Sequence, residues 1–399
     1  MRLLCVTSSY PRGPGDPSGC FVRALLAELR EVGVHAEVIV PDDAWAPSSH
    51  DATRTPVIEP ASHITRVRYA WPRTAQRLFF GSGAPENLER EAWRFAQAPL
   101  AIGAMAAAVA QRARGVDLVL AHWLVPSGLA AILGAAAAGT PVAVVAHSGD
   151  VHLLARLPGG AALARFVHTR ARVVFAVCEE TARMLRDLGV EGKVRVLRLG
   201  ARRVETSESR AALRTRMGVA ASTSLVVGLG RLERVKGFDV LMNALPLIAG
   251  PTHLALAGDG REASALSRLA HAALISHQML GNVDDHSKWA LLRAADVVVF
   301  PSRRVTGGRT EGAPVALLET LAAGRPFVAS AVGGVPELAA FAPPGCLVQP
   351  EDPVALARAL ERVLARRTYY GLGAARAGRQ LGLANAGARW RDALFAAAA

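Results

Sequence analysis

EGAPVALLETLAAGRPFVAS, residues 311–330, runs through a loop, a helix and a strand in immediate succession. Pro314 suits the first position of a helix, where its missing N–H and fixed φ cost nothing, and Gly324 followed by Pro326 ends it. RPFVAS is then a short apolar run. A helix delivering the chain directly into such a strand is the repeating step of a parallel sheet. The same step recurs upstream in SLVVGLG, near 224, THLALAGDG, HQML and DVVVFPS, each apart from HQML followed by a helical pattern or a Gly-rich turn. The first half repeats the theme. RLLCVTS leads to CFVRALLAELREVG, with apolar residues at 21, 22, 25, 26 and 29, and then AEVIVP, DLVLAH, PVAVVAH and RVVFAVC. Two doubly wound α/β domains in series are expected, with the polar stretch GARRVETSESRAALRTRMGV, 200–219, as the linker between them. Residues 42 to 98 are the least regular part of the first domain.

Length and composition agree with this division. A chain of 399 residues exceeds what one core serves, and 51% hydrophobic with 20% charged residues is a globular balance. The formal charge is +13, from 46 basic residues of which only Lys193, Lys236 and Lys288 are lysines. That excess reads either as a compositional bias toward arginine or as attraction to an anionic membrane. No run of five like charges occurs, so a nucleic-acid arm is not expected. The cysteines Cys5, Cys20, Cys178 and Cys346 are far apart, without C-x-x-C spacing, and imply a reducing compartment and no structural metal. The segment MRLLCVTSSYPR reads as a first strand rather than a signal peptide. The apolar region from 124 to 146 is broken by Pro126, Gly128, Gly134 and Pro141, and a membrane span needs about 20 unbroken apolar residues.

Open parallel sheets bind ligands beyond the carboxyl ends of their strands, so the polar residues there are the candidates. Around the helix start at Pro314, backbone N–H groups and small residues admit an anion, while Glu311 and Glu319 accept hydroxyl protons. The segment can therefore hold a phosphate and a diol together; the alternative is a helix with a solvated face. In VVGLGRLERVKGFDVL, Arg231 and Lys236 could clamp a diphosphate or belong to a surface turn. GLGRLE lacks the third glycine of the dinucleotide fingerprint, and no G-x-x-x-x-G-K-[ST] occurs. In AGDGRE, Asp259 lies in a tight turn. Ser18 and Gly19 stand at a helix start, as a phosphate approach or with Ser18 as an ordinary cap. His122 and His147 follow strands, and Asp150 lies three residues beyond the second; each histidine could bond a substrate hydroxyl or be satisfied by backbone.

Taken together these segments resemble the retaining glycosyltransferases of family 4, also called glycosyl transferases group 1. The resemblance rests on GRLERVKGFDVL, LALAGDGRE, LLRAADVVVFPS and, above all, EGAPVALLETLAAGRPFVASAVGGVPEL, which is similar to the family's E-x7-E segment. AHWLVPSG, AHSGDVHLL and AVCEETARMLRDLG resemble its first-domain segments. The resemblance implies a GT-B fold, two Rossmann-like doubly wound domains facing a central cleft. Its parts would be an acceptor-side domain at 1–200, a donor domain at 201–383 and a helix at 384–399, around Trp390, crossing back to the first domain.

The resemblance also implies roles. Arg231 and Lys236 would hold the donor diphosphate, Glu311 would touch the donor sugar or lie near the reacting centre, these three counting with His147 as catalytic, and Glu319 would bind the ribose hydroxyls. The backbone of Gly312, Ala313, Pro314 and Val315 would face sugar and phosphate, with Gly19 approaching from the other domain. His147 would contact the donor sugar as part of the catalytic set, and His122 and Asp150 would lie on the acceptor side. The chain departs from the family's usual Gly-Gly at Ser18-Gly19-Cys20, and has Ser148 where glycine is common. RRVTGGRT, 303–310, would be a mobile loop over the site, and RVRYAWPRTAQRLFFGSGAPENLERE is the candidate acceptor-facing segment, unless its aromatics are core.

The implied enzyme moves a sugar, with retention, from a nucleotide-diphosphate sugar to an acceptor hydroxyl on a lipid-linked or polysaccharide intermediate. It needs no metal or cofactor and sits in the cytoplasm, with peripheral contact to the inner face of the membrane. A soluble acceptor such as an aminocyclitol is the alternative. A GT-B-like epimerase and a non-catalytic nucleotide-sugar-binding protein are more distant readings.

Overall fold

The computed structural model describes residues 1–13, 16–42, 60–79 and 83–399. Their contacts divide the chain into two units, Met1–Leu199 with Asn385–Ala399, and Gly200–Ala384. The first unit is built on strands β1 (Arg2–Val6), β2 (His35–Pro41), β3 (His63–Val67), β4 (Leu118–His122), β5 (Val142–Ala146), β6 (Val173–Ala176) and β7 (Val194–Val196). They lie in the order β3-β2-β1-β4-β5-β6-β7, all pairings parallel. LVLAH in β4 and VAVVA in β5 are buried at every position, because helices cover both faces and leave no solvent side to alternate with.

The second unit carries β8 (Ser224–Leu229), β9 (Thr252–Ala257), β10 (His277–Gly281), β11 (Val297–Phe300), β12 (Phe327–Ser330) and β13 (Leu347–Val348). Their order is β10-β9-β8-β11-β12-β13, again parallel. In each sheet the winding reverses once, between β1 and β4 in the first and between β8 and β11 in the second. Loops leaving the two strands at such a reversal part to opposite faces and open a crevice between them. The candidate residues therefore have a defined address in each unit.

The last helix, Ala386–Ala398, belongs to the first unit. Trp390 is fully buried there against Phe175, with ring centroids 5.4 Å apart, and its Nε1 donates to the Arg198 carbonyl at 3.0 Å. Gly387 lies so close to the helix Cys20–Glu31 that a Cβ would come within 2.8 Å of the Glu28 carbonyl oxygen.

Four expectations need correction. The stretch 200–219 is not wholly linker: Arg210–Arg216 is a helix, capped by the Ser209 hydroxyl accepting from the Ala212 N–H at 3.1 Å. Its charges have a buried counterpart in Asp296, which receives Arg210 at 2.6 Å, Arg214 at 2.8 Å and Arg367 at 3.1 Å. HQML is followed by a helix after all, Asp285–Ala294, capped by Asp284 accepting from the Ser287 N–H at 2.7 Å. The cap at the first helix is Gly19, in the left-handed region with φ 61°, while the Ser18 hydroxyl accepts from Arg12 at 3.2 Å. The helix expected to begin at Pro314 begins at Val315, with Pro314 still extended and serving as the cap.

In the irregular region, Tyr69 is buried with Leu78 and Ala101 in a small cluster of its own, whereas Trp71 and Trp93 are exposed. Residues 43–59 and 80–82 of that region lie outside the described residues. No helix among the described residues is long and apolar enough to cross a membrane.

Candidate active site

In the second unit the site begins where β8 ends. The chain turns through Gly230 and Arg231 into the short turn Arg234–Lys236 and leaves through Gly237, in the left-handed region with φ 64°. A Cβ on Gly237 would fall 2.0 Å from the Pro301 carbonyl oxygen. Only glycine lets this loop lie against the one leaving β11. The Leu232 N–H donates to the Asp259 carbonyl at 2.8 Å, so the AGDG turn after β9 supports the same loop from the other side.

This closeness brings Lys236 to Glu311, Nζ to Oε1 at 2.9 Å, with both side chains mostly buried. Glu311 is held from behind by Gly333, whose positive φ of 55° and missing Cβ admit the Glu311 carbonyl, while the Gly334 N–H donates to the Gly312 carbonyl at 3.0 Å. Gly312 and Ala313 bend the chain, and Pro314, in extended backbone, leads into the helix Val315–Ala322. The first N–H groups of that helix have no partner within it and form a positive end. Arg231, partly buried, opens the loop opposite. RRVTGGRT is anchored at its start, where Arg303 forks onto Asp239 at 2.6 Å and its N–H donates to the Val235 carbonyl at 2.9 Å.

Glu319 lies four residues into the helix. Its Oε1 meets Lys288 at 2.6 Å, and Lys288 also meets Asp285 at 2.9 Å. Burial pushes the Glu319 carboxyl above its usual range, and the Lys288 ammonium opposes that rise. Lys288 and Asp285 were not expected from motif matching. Yet lysine is so scarce in this chain that two of the three pair with the two glutamates of EGAPVALLE.

In the first unit, Gly19 admits the Ser9 carbonyl where a Cβ would lie 2.1 Å from it, folding the loop after β1 onto its helix. Beyond β4 and β5 a compact group forms. His122 Nδ1 and His147 Nε2 are 2.9 Å apart, and Phe21 and Trp123 each pack on His147 with centroids at 5.0 Å. Phe21 was read only as an apolar helix position and Trp123 only as part of AHWLVPSG, and neither was singled out for the site.

Asp150 accepts from the Leu124 N–H at 2.7 Å and the His147 N–H at 3.0 Å, pinning the exits of both strands together. Burial raises its carboxyl to about 6 despite those donors. Burial also pushes His122 down to about 3 and His147 well below its ordinary value, the second helped by its neighbour His122. Both rings are therefore neutral near pH 7. His122 and Asp150 were expected on the acceptor side. Both are buried, with His122 bonded to His147 and the Asp150 oxygens given to backbone, so the geometry makes them supports of His147. Trp123 and Ser148, just past the two strands, take positive φ of 72° and 76°, strain of the kind the surrounding contacts must hold in place.

Among the described residues no group of His, Cys, Asp or Glu is arranged to hold a metal ion.

The comparisons with known proteins fall on the same segments. The model of the glycosyl transferase 4-like domain matches residues 19–200, and that of glycosyl transferases group 1 matches 223–366. A putative teichuronic acid biosynthesis glycosyltransferase, TuaC of Bacillus subtilis, is 28% identical over 366 residues, 91% of this chain and 89% of its own. D-inositol 3-phosphate glycosyltransferase of Streptomyces avermitilis is 28% identical over 396 residues, 90% of this chain and 79% of its own. The crystal structure of Anabaena HepE in complex with UDP and glucose superposes with a TM-score of 0.73 at 20% identity, covering 99% of this chain and all of that one, a likeness of fold. With both sheets, both crevice loops and the E-x7-E segment in place, the chain belongs to the group 1, family 4 glycosyltransferases and has the GT-B fold.

Proposed function

We propose that this glycosyltransferase takes its sugar from a nucleotide-diphosphate donor, with retention of anomeric configuration and without a metal. The observation that carries this reading is the pair of lysine-bound glutamates at the switch point of the second sheet. Lys236 with Glu311 stands at the helix mouth, and Lys288 with Glu319 lies one turn deeper. Breaking a sugar–phosphate bond leaves negative charge on the departing diphosphate. Arg231, Lys236 and the first N–H groups of the helix Val315–Ala322 are fixed cations and donors for that charge. When the diphosphate draws Lys236 away, Glu311 becomes an acceptor for a sugar hydroxyl. Glu319, whose charged form Lys288 favours against burial, is an acceptor for paired ribose hydroxyls. His147 would contact the donor sugar.

A lipid-linked or polysaccharide acceptor is favoured by the likeness to a teichuronic acid enzyme and by the net charge of +13, which suits an anionic membrane surface. The likeness to an inositol phosphate glycosyltransferase supports a soluble acceptor as the second reading. Calorimetric titration with UDP, GDP, ADP and dTDP, without added metal, tests the donor site. One nucleotide should bind selectively, and Glu319→Gln should weaken it about tenfold or more, as expected when hydroxyls lose a charged acceptor. Glu311→Gln should leave nucleotide affinity unchanged and lower transfer. Equal binding losses in both variants would refute this division of roles.

A further inference from the structure

We propose that His122 is a positioning residue: it donates its Nδ1–H to Nε2 of His147 and so fixes His147 as the Nδ1–H tautomer, a hydrogen-bond donor toward the sugar. The role rests on the donor reading above; the hydrogen bond itself does not.

The two nitrogens are 2.9 Å apart, so one supplies a proton and the other a lone pair. The far nitrogen of His122, Nε2, is buried and meets no hydrogen-bond partner. If His147 were the donor, a neutral His122 would have to carry its own proton on that far nitrogen, as an N–H with nothing to receive it. Orphaned buried N–H groups are the rarest defect in native structures, and an unmet lone pair is the lesser one. A cationic His122 would escape the choice, but burial drives its pKa down to about 3. His122 is therefore the donor, and His147, with Nε2 occupied, keeps its proton on Nδ1.

The rest of the group keeps that ring still. Phe21 and Trp123 pack on it, and Asp150 holds the backbone N–H of His147 together with that of Leu124, tying the exits of β5 and β4. Either tautomer is open to an isolated imidazole, and only one can donate from Nδ1. A site that must recognise a hydroxyl oxygen at a fixed place gains from having that choice made in advance.

The test uses the full chain with ¹⁵N-labelled histidine. Two-bond ¹H–¹⁵N spectra, assigned with His147→Asn and His122→Asn, should show His147 protonated on Nδ1 and bare on Nε2. His122→Phe keeps the ring and removes the donor. It should lower kcat about 10- to 100-fold, the cost of a misplaced group, with nucleotide affinity unchanged. His122→Asn, whose amide N–H reaches the Nδ1 position, should recover most of the rate, and His122→Gln, whose amide reaches the Nε2 position, should not. A packing role alone would not separate Asn from Gln. An Nε2–H tautomer at His147 in a protein that binds nucleotide would overturn the proposal and leave the donor reading standing. Equal rates for wild type, Phe and Gln variants would do the same. Absence of nucleotide binding in the wild type would remove the donor reading, and with it the role given to His147.

Discussion

Each glutamate of EGAPVALLE is held by a lysine, and the two lysines do different work. Lys236 pairs with an acid at a helix mouth, where the proposed diphosphate would displace it; Lys288 sits deeper and opposes the effect of burial on Glu319. The sign of the second effect is checkable. Burial has already raised the Glu319 carboxyl, so removing Lys288 raises it further, and nucleotide binding that needs the ionised form should fail at a higher pH. Lys288→Met should bind nearly as wild type at pH 8. As the pH falls it should lose affinity before wild type does, about tenfold for each unit by which the carboxyl pKa exceeds the pH. Parallel affinity–pH curves for the two proteins would show that Lys288 does not set this charge. The glutamates themselves were legible because their spacing straddles a helix start. Lys288 was not, because its partner is 31 residues away and only the fold brings them together. His122 was expected just after a strand but is the last residue of β4, and its burial was not legible, since an edge histidine and a supporting one have the same sequence.

At the scale of elements, the strand runs and the helix punctuation were plain in the sequence. Parallel strands covered on both faces are continuous apolar runs, and the candidate residues were sought in the segments that follow them. What failed were short helices in polar stretches. The helix Arg210–Arg216 looks like linker because its arginines are polar, yet they answer the carboxylate of Asp296, more than 80 residues on. The loop between β8 and its following helix depends on Gly237. Gly237→Ala would force a side chain into the left-handed region, at a cost of about 1–2 kcal/mol, and push it into the Pro301 carbonyl. Since the same loop carries Lys236, the variant should show both a lowered denaturation midpoint for the second unit and weaker nucleotide binding. A variant of unchanged affinity would mean that the two loops need not touch for Lys236 to be placed.

At the scale of the molecule, the two units share one chain unequally. The second is continuous in sequence, from Gly200 to Ala384, whereas the first is closed by a helix from the far terminus. Trp390 carries much of that closure. Trp390→Ala removes a fully buried indole and its bond to the Arg198 carbonyl, and should cost the first unit about 3–5 kcal/mol. In a two-step thermal scan the transition that reports Phe175 should move and the other should not. A shift of both together would show that the units unfold as one.

The returning helix also sets an order of birth. As the chain leaves the ribosome, residues 1–199 emerge before the helix Ala386–Ala398 that packs on them, and their core lacks Trp390 until then. The second sheet has all its strands by Val348 and its unit is complete at Ala384, so the face of the helix Cys20–Glu31 that receives the last helix is the final one to be covered. What is synthesised first is finished last, and the nascent protein needs protection at its beginning until its end arrives.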